Sequence, residues 1–296
     1  MDNNKLDVQE QQQKQREQEQ EKLKTRMDGI GKKILILSGK GGVGKSTVAA
    51  NLAMGLALSD KKVGLLDIDL HGPSIPRILG LEGQRLDIDS QNNIKPVRLY
   101  ENFAVVSIGF MLTSARDAVI WRGPLKFNVI RQFLADVNWG ALDFLVIDSP
   151  PGTGDEPLSV AQLAGKNTYA IVVTTPQDVA IADVRRSVAF CETLSIPVMG
   201  IVENMSGFMC PHCGKETHLF GTGGGQRLAE EMGVAFLGSI PLEPGIMISG
   251  DTGIPYIRNN PQHPAAQTLM HIVQLIINIP SDTVSGAPDL IKKGEE

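Results

Sequence analysis

The stretch SGKGGVGKST, Ser38 to Thr47, decides how the rest of the chain is read. Gly39, Gly44, Lys45 and Ser46 satisfy the pattern G-x-x-x-x-G-K-S/T in full. The flanks agree with it. KILIL before it has the length and apolar run of a buried strand, and STVAANLAMGLAL after it reads as a helix. A loop between a strand and a helix that is rich in glycine can turn its N–H groups inward around phosphate oxygens, in conformations a side chain would block. The helix N-terminus adds its partial positive charge. Gly39, Lys40, Gly41, Gly42, Val43, Gly44, Lys45, Ser46 and Thr47 are therefore expected to cradle a nucleotide. Lys45 should reach the β/γ-phosphates and Ser46 should hold Mg²⁺, with Thr47 supporting the loop.

Working outward, the same alternation repeats. KVGLLDID, FAVVSIG, DFLVIDSP, YAIVVTTP, VMGIVEN and VAFLGSIP are apolar runs of strand length. Helical stretches lie between most of them, at 45–58, 124–137, 178–194 and 226–232, and AAQTLMHIVQLII closes the series. Short apolar strands separated by helices predict a doubly wound, mostly parallel sheet covered on both faces, a three-layer α/β domain. That domain is expected over 29–279. Residues 1–28, rich in Gln, Glu, Lys and Arg, offer almost nothing to bury and read as a disordered polar tail. Residues 280–296 read as a flexible C-terminal tail.

Composition narrows the function classes. The 296-residue chain is 42% hydrophobic and 21% charged, ordinary for a globular protein. A formal net charge of −5 argues against nucleic acid as a partner. No stretch approaches the roughly 20 apolar residues of a membrane span. Three cysteines do not make a disulfide framework, which points to a reducing compartment and a cytoplasmic protein.

Three strand ends complete the expected site, because an open α/β sheet binds ligands at the carboxyl ends of its strands. Asp148, after four apolar residues, should belong to the Mg²⁺ shell. Asp67 and Asp69 end another strand. Asp69 is the candidate for orienting the attacking water, with Asp67 beside Mg²⁺. SPPGTGDE, Ser149 to Glu156, reads as a switch loop sensing the γ-phosphate. Asn204, at the end of VMGIVEN, is a candidate for recognising the base, since an amide can donate and accept at once. An ordinary turn asparagine is the alternative.

Lys40, after the first glycine, makes the loop similar to the variant called the deviant Walker A motif. The resemblance implies that this lysine reaches the nucleotide of a partner subunit, giving a homodimer with two ATPs between the subunits. It also bears on CPHC, Cys210 to Cys213. A redox dithiol, zinc held within one chain, and a site shared by two chains are all open. A helix after the first cysteine, which a redox dithiol wants, is not evident. An intrachain zinc lacks a full set of four ligands. Two loops meeting on a dimer axis would supply four thiolates, the set that a 4Fe-4S cluster or a shared zinc requires.

The deviant loop, DIDLHGPSIPRILG, WRGP, IDSPPGTGDE, VENMSGFMCPHCG and GTGGG occur in this order. Together they resemble the Mrp/ApbC group of P-loop ATPases, the iron–sulfur carrier family, over about residues 32–279. The resemblance implies ATP hydrolysis, a labile 4Fe-4S cluster between two subunits held by Cys210 and Cys213, and transfer to apo iron–sulfur proteins in company with assembly scaffold proteins. Relatives with an N-terminal cysteine-rich segment differ from this chain, which has no cysteine before Cys191. The competing expectation is a partition- or positioning-type ATPase switch with a structural zinc at the dimer interface.

Overall fold

The computed structural model describes residues 3–70, 72–111, 123–210, 212–213 and 215–280. The expected C-terminal tail beyond Pro280, and Trp121 and Arg122 of the WRGP motif, lie outside the described residues.

The described residues form twelve strands and ten α-helices. The strands are β1 (Ile30–Leu37), β2 (Val63–Asp67), β3 (Asp87–Ile88), β4 (Ile94–Lys95), β5 (Val97–Tyr100), β6 (Phe103–Ser107), β7 (Leu142–Asp148), β8 (Thr168–Thr174), β9 (Val198–Asn204), β10 (Phe208–Met209), β11 (Glu216–Thr217) and β12 (Phe236–Ile240). The helices are α1 (Asn3–Asp28), α2 (Lys45–Leu58), α3 (Ile75–Ile78), α4 (Gly123–Ala135), α5 (Asp155–Leu163), α6 (Asp178–Thr193), α7 (Gly224–Met232), α8 (Pro244–Thr252), α9 (Tyr256–Asn259) and α10 (Pro264–Asn278).

Eight strands make one sheet in the order β12-β9-β8-β1-β7-β2-β6-β5. Every neighbouring pair is parallel except β5 with β6. All seven apolar runs of the sequence are strands of this sheet. β5 was not among them, because Val97–Tyr100 carries only partly buried or exposed residues on an edge.

Alternate residues of each strand feed two cores, as the two-residue strand period requires. Ile34, Ile36, Leu65, Val105, Val146 and Ile171 pack against α2 and α10. Leu35, Leu37, Leu66, Val106, Ile147 and Val172 pack against residues of α4, α6 and α7. The result is the expected three-layer arrangement. β1 lies at the centre with β7 and β8 on either side, so the winding reverses at β1, and the loop after β1 sits at that reversal.

The N-terminal segment differs from its expectation. Residues 3–28 are a helix rather than a disordered tail. No apolar stripe holds it. Met27 is buried in the second core and Leu23 is packed against that core. Polar contacts add the rest: Lys22 pairs with Asp136 at 2.7 Å, Arg131 with Glu19, and Arg26 donates to Asn93 at 3.0 Å and Asn138 at 3.1 Å. Lys33, buried in the core, donates to the Met27 carbonyl at 3.0 Å, capping the helix C-terminus from below. Among the described residues, no helix is long and apolar enough to cross a membrane.

Candidate nucleotide site and cysteine hairpin

The phosphate loop is built by its glycines. Gly42 and Gly44 have φ of 81° and 79°, the left-handed region. Gly44 is further constrained, since a Cβ there would collide with the Asn204 amide. The loop is laced to the segment after β7, where Gly152 N–H donates to the Ser38 carbonyl at 2.8 Å and Ser149 Oγ to the Ile36 carbonyl at 2.7 Å. Thr47 supports α2 through its carbonyl, which accepts from Asn51 Nδ2 at 2.9 Å. Val43 is buried.

Lys45 is buried and forms an ion pair with Asp148, whose residue is fully buried. Ser46 Oγ lies 3.4 Å from the same ammonium. Asp148 and Asp67 are register partners on the neighbouring strands β7 and β2. Asp67 accepts from Ser107 Oγ at 2.8 Å and from the Asp69 N–H at 3.0 Å. Burial, and then the charge of Asp148, push the Asp67 carboxyl up to about 8. Burial also raises Asp148, against the pull of Lys45. Two buried carboxyls beside one ammonium both hold a proton more readily than a free carboxyl does. Oδ2 of Asp148 is buried without a hydrogen-bond partner. A divalent cation fits this donor set, since it would supply the missing charge and the missing partner at once. Asp69 sits half-buried beyond β2, and its Oδ1 accepts from Gly72 N–H at 3.2 Å.

The structure thus brings Lys45, Ser46, Asp67, Asp69 and Asp148 to one edge of the sheet. Lys40 points elsewhere in the single chain, its Nζ 3.3 Å from Gln177 Oε1 at the start of α6. Asn204 is 7% exposed and its Nδ2 donates to the Val43 carbonyl at 2.9 Å. It braces the loop through that amide, a role the sequence reading did not assign. One more participant was not foreseen. Ser107 holds Asp67, and its only signal was its place at the end of the FAVVS run. Glu156 pairs with Lys126 at 2.7 Å and is buried. The SPPGTGDE loop is shorter than read, because Asp155 and Glu156 already open α5.

The cysteine pair sits at the tip of a small hairpin. β10 and β11 pair antiparallel, Phe208 with Thr217 and Met209 with Glu216, and Cys210 N–H donates to the Lys215 carbonyl at 3.0 Å. Pro211 and Gly214 lie outside the described residues. Cys210 is partly exposed and Cys213 exposed. The backbone N–H groups of Cys213 and His212 hold the Cys210 thiol below its usual range, which favours the thiolate that binds metal. His218 faces Glu216 at 3.8 Å. Among the described residues, no group of three or more His, Cys, Asp or Glu is gathered as for a metal ion. Cys191 is fully buried in α6, a small hydrophobe of the second core.

A three-layer parallel sheet with a glycine-cradled lysine at its reversal point and strand-end carboxylates beside it defines a P-loop NTPase. The model of the ParA family described as NUBPL iron-transfer P-loop NTPase matches residues 29–277. The chain belongs to that family. The iron–sulfur cluster carrier protein of Saccharolobus solfataricus is 47% identical over 257 residues, 87% of this chain and 86% of the relative. A nucleotide-binding protein from Archaeoglobus fulgidus, solved in complex with ADP and with cobalt found in it, is 42% identical with a TM-score of 0.71. That match covers 80% of this chain and 92% of that one. The cell division ATPase MinD of Pyrococcus furiosus shares the fold, at 24% identity and a TM-score of 0.62 over 84% of this chain and 100% of that one.

Proposed function

We propose that this protein is an ATP-hydrolysing iron–sulfur cluster carrier. Two copies would hold a labile 4Fe-4S cluster through Cys210 and Cys213 of each and pass it to apo-proteins. The carrying observation is the exposed two-thiol hairpin, which offers half of a four-thiolate set at the sheet edge that bears the phosphate loop. The 47% identical carrier protein supports the same reading.

Lys45 would exchange Asp148 for the β- and γ-phosphates when nucleotide enters, which frees the carboxylate. Ser46, Asp67 and Asp148 would then hold magnesium, which screens the phosphate charge. Asp69 would orient the attacking water, and Asn204 would meet the base edge from its place beside the loop. Lys40 would leave Gln177 for the nucleotide of the second copy. Three free cysteines, two of them accessible, suit a reducing cytoplasm.

Anaerobic reconstitution with iron and sulfide tests this. About four irons per two chains are expected. Cys210→Ala and Cys213→Ala should each abolish binding, and Cys191→Ala should not. Zinc at one per two chains, with no iron retained, would replace the carrier reading by the switch with a structural zinc.

A further inference from the structure

Glu203 is a buried carboxylate that the hydrolytic site does not use. It is 0% exposed at the end of β9, beside Asn204. Its two oxygens are divided between two elements. Oε1 accepts from Ser206 Oγ at 2.5 Å, on the approach to the cysteine hairpin. Oε2 accepts from the Gly225 N–H at 2.7 Å, in the first turn of α7. The glycine run 221–225 gains a purpose from this. A Cβ on Gly225 would stand 3.0 Å from Glu203 Cβ and 3.2 Å from its Oε2, and one on Gly224 would press into the Pro176 carbonyl. A side chain at Gly225 would crowd the carboxylate, and one at Gly224 would force α7 away from Pro176.

The segment that follows is tightly constrained. Asn204 grips the Val43 carbonyl of the phosphate loop. Met205 adopts φ 59°, left-handed for a residue with a long side chain. Ser206 N–H donates to the Ile240 carbonyl at 2.9 Å, and Leu242 N–H to the Gly207 carbonyl at 2.8 Å. Within a few residues of chain, then, one peptide of the loop and the base of the hairpin are tied to the same stretch. A phosphate that takes the N–H of the Val43–Gly44 peptide makes its carbonyl a stronger acceptor for Asn204.

We propose that Glu203 is a positioning residue that couples the phosphate loop to the cysteine hairpin, by clamping Ser206 against α7 so that a shift at Asn204 is carried to Cys210 rather than absorbed. The proposal rests on the carrier reading for its purpose, but its test does not need a cluster. Alkylation rates of Cys210 and Cys213 by iodoacetamide are measured by mass spectrometry on the metal-free full chain, with and without Mg·ADP. The dilution is one at which sedimentation gives the same mass in both conditions. In the wild type the nucleotide should change the rates about fivefold or more, the lower range of measured site-to-site coupling. In Glu203→Gln and Ser206→Ala the ratio should fall to near one while nucleotide affinity is kept. Should Glu203→Gln fail to fold, Ser206→Ala, at a partly exposed side chain, decides through the same bond. A wild-type ratio of one with nucleotide bound, or variants that keep the wild-type ratio, overturns the proposal. Iron binding is measured separately, so a chain that shows the ratio yet retains no iron would sink the carrier reading and leave the coupling standing.

Discussion

Lys45→Ala probes the centre of the site through stability as well as activity. In the wild type, Lys45 is the ammonium that faces the buried carboxyls of Asp148 and Asp67. Without it, Asp148 loses its counter-charge and keeps one oxygen that has no hydrogen-bond partner. Breaking a buried pair costs about 3–5 kcal/mol when the remaining charge stays. The variant has a cheaper course, which is to bind a proton at Asp148. A carboxyl that titrates near 4 in the unfolded chain costs about 4 kcal/mol to hold protonated at pH 7, and about 1.5 kcal/mol at pH 5. Removing Lys45, whose pull opposes the effect of burial, raises Asp148 further, so the folded variant holds this proton more firmly than the folded wild type. A group whose folded pKa is raised lends stability that is complete below its unfolded pKa and is lost as pH rises toward the folded one. The deficit of the variant should accordingly grow with pH between pH 5 and pH 7, by up to about 1.4 kcal/mol per pH unit. Urea unfolding of both proteins, metal-free, at the two pH values measures it. Lys45→Ala combined with Asp148→Asn should remove the pH dependence. A deficit that is equal at pH 5 and pH 7 would refute the reasoning, as would one below about 1 kcal/mol at pH 7. Nucleotide binding should be lost in the single variant, and normal turnover would contradict the phosphate-loop assignment.

Burial, aided by the charge of Glu192, pushes the Cys191 thiol up to about 12. Iodoacetamide at pH 7.5 should therefore label Cys210 and Cys213, and label Cys191 only in urea; early labelling of Cys191 by mass spectrometry would contradict this. Gly44→Ala should lose about 1–2 kcal/mol from the left-handed backbone alone, and more from the clash with Asn204, with weakened nucleotide affinity by calorimetry; an unchanged affinity would mean that the loop geometry does not set binding. Truncation before Glu19 should leave the melting temperature unchanged, since among the described residues the first side-chain contact of α1 outside the helix is that of Glu19 with Arg131. Truncation through Asp28 removes Met27 from the second core, at about 1.5–3 kcal/mol, and equal melting temperatures for the two truncations would show that the helix does not dock.

The parts of the fold that were legible in the sequence share a cause. A buried parallel strand is a short apolar run whatever lies beside it, so β1, β2, β6, β7, β8, β9 and β12 could be found one at a time. The phosphate loop is equally local, because its conformation is set by where glycine stands within one turn of chain. The docking of α1 could not be read, for the opposite reason. Its residues are polar on every side, and what holds it are Asp136, Arg131, Asn93 and Asn138, more than sixty residues away. The start of α5 at Asp155 was likewise hidden, because Gly and Pro just before it read as loop.

The site divides along the same line. The places of Lys45, Ser46, Asp67, Asp69, Asp148 and the two hairpin cysteines at loop and strand ends could be read from motifs, since each owes its place to the element that carries it. Their partnerships could not. That Asp148 pairs with Lys45, that Ser107 holds Asp67, that Asn204 grips the loop and that Glu203 takes the N–H of Gly225 in α7 are facts of contact between distant segments. Apolar period and glycine spacing report how a segment folds upon itself. The charge state of a buried carboxyl depends on which other charges share its low-dielectric surroundings, and only the packing of β2, β7, β9 and α7 around the loop settles that.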